Sequence, residues 1–154
     1  MVELREMMAR HGGAGKVAWI GLRPARRADM EIVTEAEIDA NGLLGDRAKA
    51  GKRAVTLIQA EHLPVIAALA RRAVCPEMLR RNIVVSGINL AALRKGQVRL
   101  GTALLEVSGP CPPCSRMEET LGHGGYSAVR GHGGMYASVL APGVVSLGDT
   151  VTPA

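Results

Sequence analysis

The run Ser108-Gly109-Pro110-Cys111-Pro112-Pro113-Cys114-Ser115-Arg116-Met117-Glu118-Glu119 holds two of the chain's three cysteines and is the stretch best suited to chemistry. It leaves an expected strand, turns on Gly and Pro, and enters an expected helix at Cys114 or Ser115. A thiol at a helix N-terminus meets the positive end of the backbone dipole and unpaired N–H groups, and Arg116 adds a cation; both favour the thiolate. Cys114 is therefore the candidate nucleophile, sulfur carrier or soft-metal ligand. Cys111 forms C-x-x-C with it, either as a resolving thiol or as filler. A thioredoxin-like dithiol follows the first strand of a βαβ unit, a pattern missing here, and a structural zinc site would have to draw on Cys75, His123 or His132 at irregular spacing. Cys75 reads as a buried small hydrophobe.

Two further polar groupings suit an anion. Gly45-Asp46-Arg47 follows the Asn41-Gly42 turn, and Arg80-Arg81-Asn82 stands at the mouth of an apolar strand. Arg forks beside an Asn amide match a phosphate or the edge of a pterin-like heterocycle, although Asp and Asn also fasten turns for local reasons. In His123-Gly124-Gly125-Tyr126 and Arg130-Gly131-His132-Gly133-Gly134 the glycines let a ligand approach the backbone, which makes His132 a candidate contact; the other reading is a solvated loop histidine. His62, at a helix start, reads as a packing or capping residue. His11-Gly12-Gly13-Ala14-Gly15-Lys16 is not a P-loop, because its Gly spacing is wrong and Val17 stands where Ser or Thr should follow Lys.

The elements that must position these residues are mostly short strands. Alternation or apolar runs mark strands at residues 16–22, 30–39, 53–59, 82–85, 98–100, 103–107, 135–140 and 144–151, most of them bounded by Gly or Pro. In 30–39, Ile32, Thr34, Ala36 and Ile38 share one face. Residues 60–73 have helical spacing at Leu63, Ile66, Ala67 and Ala70, with Pro64 in the tolerated first turn, and Pro76 to Arg80 can start a short helix. Seven or eight strands against two or three helices predict a mainly β barrel or sandwich with a few inserted helices. Residues 1–27, with the basic loop Arg23-Pro24-Ala25-Arg26-Arg27, are expected to join that same domain.

Composition narrows the partners. The 154 residues make one domain, and they contain no Phe and only Trp19, Tyr126 and Tyr136 as aromatic side chains of the Phe/Trp/Tyr class. That argues against base-stacking nucleic-acid platforms. The net charge is +5 and 15 of the 19 cations are Arg, so forked recognition of small anions is favoured over diffuse attraction. The longest apolar run, Leu63 to Ala70, is too short to span a bilayer, and an odd cysteine count without a signal-like N-terminus points to a reduced cytoplasmic setting.

Taken in order, Gly42-Leu43-Leu44-Gly45-Asp46-Arg47, Arg53 to Ile58 leading to Glu61-His62-Leu63, Leu79 to Ile88, Leu100-Gly101, Cys111 to Arg116, Gly133 to Tyr136 and Val145 to Val151 resemble the MOSC domain. That family is named for the C-terminal domain of molybdenum cofactor sulfurase. The likeness spans about residues 28–151 and implies a small stand-alone bacterial member with a β-barrel-like fold. It further implies that Cys114 carries sulfane sulfur or ligates molybdenum, and that Asp46, Arg47, Arg80, Asn82 and Arg116 contact the molybdenum pyranopterin cofactor, with His132 as a possible addition. Without a pyridoxal-phosphate lyase domain, sulfur would come from a cysteine desulfurase and pass to a molybdoenzyme or its cofactor. Two other readings stand beside it: a component of a reductase for N-hydroxylated compounds, and a non-catalytic anion-binding module.

Overall fold

The computed structural model describes residues 1–154. After a short exposed helix α1 (Leu4–Met8), the strands run β1 (Gly15–Leu22), β2 (Glu31–Val33), β3 (Glu35–Asp39), β4 (Gly42–Leu43) and β5 (Val55–Gln59). Helices α2 (His62–Ala70) and α3 (Pro76–Leu79) precede β6 (Ile83–Ser86); a 3-10 turn, Leu90–Leu93, leads to β7 (Gln97–Leu100) and β8 (Ala103–Pro110). Helices α4 (Ser115–Leu121) and α5 (Gly125–Val129) then lead into β9 (Met135–Ala141), β10 (Gly143–Ser146) and β11 (Thr150–Pro153). The mainly β class with inserted helices holds, with more and shorter elements than the sequence suggested.

Seven strands close a barrel in the order β11-β7-β8-β9-β5-β6-β1, sealed by the pairing of β1 with β11 through Gly15 opposite Val151. Closure removes the free edges that would otherwise invite aggregation. All pairs are antiparallel except β5 with β6, whose crossover carries α2 and α3. Parallel neighbours need such a connection, because no tight turn can reverse the chain twice. β2 extends the sheet beyond β1, and β3, β4 and β10 form a separate three-stranded sheet.

The barrel interior is a 23-residue aliphatic cluster that includes Val17, Ile20, Leu57, Ile83, Leu100, Leu105 and Val151. A second cluster lies outside the wall, where Ile58 and Val84 meet Ile66, Leu79, Met117, Leu121 and Val129 of the helical layer. This explains why every residue of β5 is buried: Leu57 faces the barrel and Ile58 faces the helices. Fully burying such a side chain is worth about 1.5–3 kcal/mol, so these two clusters anchor the helical layer that carries Cys114.

Three expectations are corrected. The strand read at 30–39 is two strands in different sheets: β2 pairs with β1 while β3 pairs with β10, so Ile32 is 57% exposed although Ala36 and Ile38 are buried. The segment 144–151 is also two strands, β10 and β11, joined through Leu147 to Asp149. Cys75 is exposed rather than core, because it precedes α3 at the rim of the helical layer. No helix is long and apolar enough to cross a membrane.

Candidate functional site

Four separate segments converge at one mouth of the structure. The loop after β1 brings Arg23, Arg26 and Arg27; the loop after β4 brings Arg47; the end of α3 brings Leu79, Arg80 and Arg81; and the start of α4 brings Cys114, Ser115, Arg116 and Met117. Together they enclose a pocket of about 200 Å³. Cys114 is exposed and occupies the N-cap position of α4, where its side chain makes no capping hydrogen bond. The thiol is thus uncommitted, with seven arginines around it.

Those arginines divide by what they bind. Arg23 makes a forked pair with Asp46, through Nε to Oδ1 at 3.1 Å and Nη2 to Oδ2 at 3.0 Å. Arg80 donates to the carbonyls of Ala28 at 2.6 Å and Ala25 at 3.3 Å, and Arg81 donates to those of Gly133, Leu79 and Pro112. Arg27 reaches Glu119 at the exposed rim. No carboxylate bridges Arg26, Arg47 or Arg116, since the only ion pairs involve Arg10, Arg23 and Arg27. Their guanidinium groups are available to an anion.

Gathering like charges has a cost that shows on Arg80. Burial first, then the charges of Arg116, Arg23 and Arg47, push its guanidinium below the usual arginine range, and Asp46 only partly offsets them. Arg80 also sits in the left-handed region at φ 55°, as does Arg27 at φ 63°. Non-glycine residues there carry strain on the order of 1 kcal/mol or more, and such strain concentrates at ligand sites. Uncompensated positive charge and backbone strain meet at the same pocket.

Beneath the pocket lies a polar hub that holds it. The Asp46 side chain is fully buried and accepts hydrogen bonds from Arg23 N, Arg23 Nε and Nη2, Ala48 N and Asn82 Nδ2. Burial alone would raise its pKa, but hydrogen bonds and charge from Arg23 outweigh that and hold the carboxyl below the usual range. Asn82 is fully buried; Nδ2 donates to Gly21 O and Asp46 Oδ1, while Oδ1 accepts from Thr56 N and Oγ1. Its amide has no donor left for a ligand.

The structure therefore brings Arg47, Arg80 and Arg116 to Cys114 and places Asp46 and Asn82 behind the lining, where they hold the loops. His132 lies outside the pocket, with its ring edge-on to His62 at a centroid distance of 5.5 Å. Packing against His132 suits the expected role of His62. Cys111 is buried rather than beside Cys114 in the lining, and its backbone N–H donates to Gly134 O. Burial first, then a hydrogen bond with the Cys111 thiol, raise the Tyr136 phenol above its ordinary range. Sequence reasoning did not assign Arg23, Arg26 and Arg27 to the site, and it placed Arg81 only among the anion donors at the mouth of the strand. Their signal was the basic loop Arg23 to Arg27 and the doublet Arg80-Arg81, but nothing local says that these segments meet.

The family model described as the MOSC domain matches residues 10–152. Among solved structures, the chain is similar to the YuaD protein of Bacillus subtilis, with 20% identity, a TM-score of 0.79, and coverage of 90% of this chain and 94% of that one. It is also similar to YiiM from Geobacillus stearothermophilus (19% identity, TM-score 0.73, 91% and 75% covered). YiiM from Escherichia coli gives 23% identity and a TM-score of 0.69, with 90% and 69% covered. No curated protein has a sequence that matches the chain significantly. At these identities the structural likeness establishes the fold.

Proposed function

The chain belongs to the MOSC domain family, which is associated with molybdenum cofactor sulfuration and binding, and from that premise we propose that it accepts sulfane sulfur on Cys114 and delivers it to a molybdenum cofactor or another metal–sulfur centre. The observation that carries this reading is the exposed, uncommitted Cys114 thiol in an arginine-lined pocket. A thiolate is the attacking species in sulfur exchange, and the exposed thiol is open to a donor while the nearby guanidinium groups supply positive charge around the sulfur it receives. In loading, the Cys114 thiolate attacks the outer sulfur of a donor persulfide. One S–S bond forms as the donor's breaks, the electron pair leaves on the donor thiolate, and Cys114 holds the persulfide. Unloading onto an acceptor thiolate is the same exchange, with the electron pair returning to Cys114, and needs no external oxidant or reductant; delivery to a metal centre as sulfide would draw two electrons from that centre's reduced metal or from a thiol reductant.

The chemistry of the donor set also fits the molybdenum pyranopterin cofactor. Arg26, Arg47 and Arg116 suit its phosphate, and the Cys114 sulfur is a soft ligand for molybdenum. When bound, that group supplies a molybdenum–sulfur centre; the chain's own part is to hold the phosphate and present Cys114. The proposed sulfur donor is a cysteine desulfurase and the proposed acceptor a molybdoenzyme or its cofactor. Incubation with a cysteine desulfurase and sulfur-labelled cysteine should leave label that dithiothreitol releases as sulfide, with Cys114→Ala unlabelled. Equal labelling of the two proteins overturns the reading.

A further inference from the structure

A second cavity adjoins the Cys114 pocket. It holds about 630 Å³ and shares Arg23 and Arg47 with the first, so the two lobes have a common wall. Lys49, Lys52 and Arg53 also line it, together with Thr56 and Tyr136. No Asp or Glu lines this lobe, and of its five cations only Arg23 has a carboxylate partner. Arg53 lies over the Tyr136 ring, 4.8 Å from its centroid, which fixes the guanidinium at the lobe.

The loop that carries these cations is fastened at several points. Arg47 N donates to Arg23 O, Ala48 N to Asp46, Ala50 N to Asn41 Oδ1, and Ser108 Oγ to Lys52 O at 2.9 Å. Like charges held together by such bonds oppose folding and are screened only by solvent, so the fold itself has no use for this arrangement. The combined cavity has the size of a small-molecule cleft.

We infer that the second lobe is a phosphate subsite, so that the ligand seated against Cys114 is an extended small molecule with more than one phosphoryl group, spanning Arg47. The inference builds on the proposed site but not on its sulfur chemistry. Arg47 stands at the shared wall and serves both ends of the ligand, Arg116 serves the near end, and Lys49 and Lys52 serve the far end.

The test is calorimetric titration of the full chain at low salt with inorganic phosphate and tripolyphosphate. Wild-type protein should bind tripolyphosphate at least about tenfold tighter than phosphate. Lys49→Ala/Lys52→Ala should lose most of that advantage while its phosphate affinity changes less than about twofold. Arg94→Ala/Lys95→Ala removes the same charge from outside both lobes and should leave both affinities unchanged. Wild-type tripolyphosphate affinity in the Lys49/Lys52 variant overturns the inference, as does an equal loss in the Arg94/Lys95 variant. A hexaglutamate peptide that binds tighter than tripolyphosphate and depends on Lys49 and Lys52 also overturns it, because the lobe would then dock protein carboxylates. Sulfur labelling of Cys114 is unaffected by any of these outcomes, so the two proposals fail separately.

Discussion

Replacing Asn82 with Ala separates a residue that holds the pocket from one that touches the ligand. The substitution deletes four hydrogen bonds between buried or part-buried partners: two donated by Nδ2, to Gly21 O and Asp46 Oδ1, and two accepted by Oδ1 from Thr56. Three are neutral bonds worth about 1 kcal/mol each, and the one to the Asp46 carboxylate is worth about 1.5–3 kcal/mol. The Asn82 backbone N–H keeps its bond to Thr56 Oγ1, so part of the hub survives. The net loss should be about 5 kcal/mol, which for a chain of this size lowers the melting temperature by about 10–20 °C. Thermal and urea unfolding followed by circular dichroism measure it. A melting temperature within about 3 °C of wild type, combined with weakened phosphate binding, would refute the assignment and return Asn82 to the ligand.

Asp46→Asn tests the hub from the other side. Because the folded carboxyl titrates below its ordinary 3.8, the stability it contributes is complete above that value and is lost as pH falls below it. The gap between wild type and Asp46→Asn should be about 3 kcal/mol near pH 7 and should narrow below about pH 4, measured as urea midpoints; a gap independent of pH contradicts the pairing. Among the thiols, Cys114 should be alkylated first by iodoacetamide. Cys75 should follow more slowly, since partial burial and the Glu77 carboxylate raise its thiol, and buried Cys111 should react only on unfolding. Peptide mapping over a time course checks this order, and early labelling of Cys111 would refute it.

What could be read from sequence was whatever depends on neighbours along the chain. β1, β5, the apolar face of α2 and the start of α4 follow from local alternation, spacing and turn residues, and so does the placing of Cys114 at a helix start. Partners across the sheet are not local. Ile32 has the right alternation with Ala36 and Ile38, yet the chain bends at Thr34 and passes to another sheet, which leaves Ile32 in solvent.

The Gly122 to Gly134 stretch hid α5 for a related reason. A side chain at Gly125 would meet Met117 O at 2.6 Å, and one at Gly134 would collide with Leu57 O. These two glycines serve close packing of backbone on backbone rather than the approach of a ligand. Glu118 closes that helix by accepting from the backbone N–H groups of Gly124 and Tyr126.

The arginine pocket was legible as a composition but not as a place. An excess of Arg predicts an anion, and only the fold shows that seven of them, from three loops and a helix start, surround one thiol. The reverse holds for Asn82, whose sequence setting among donors resembles a ligand contact while its burial makes it a strut.

The most direct test of the sulfur-carrier account is to locate the added sulfur. After reaction with a cysteine desulfurase and cysteine, the protein should be alkylated and digested, and each cysteine peptide weighed. The account predicts one extra sulfur atom on the Cys114 peptide and none on those of Cys75 and Cys111. Extra sulfur on the Cys75 peptide instead, or on no peptide, would contradict it.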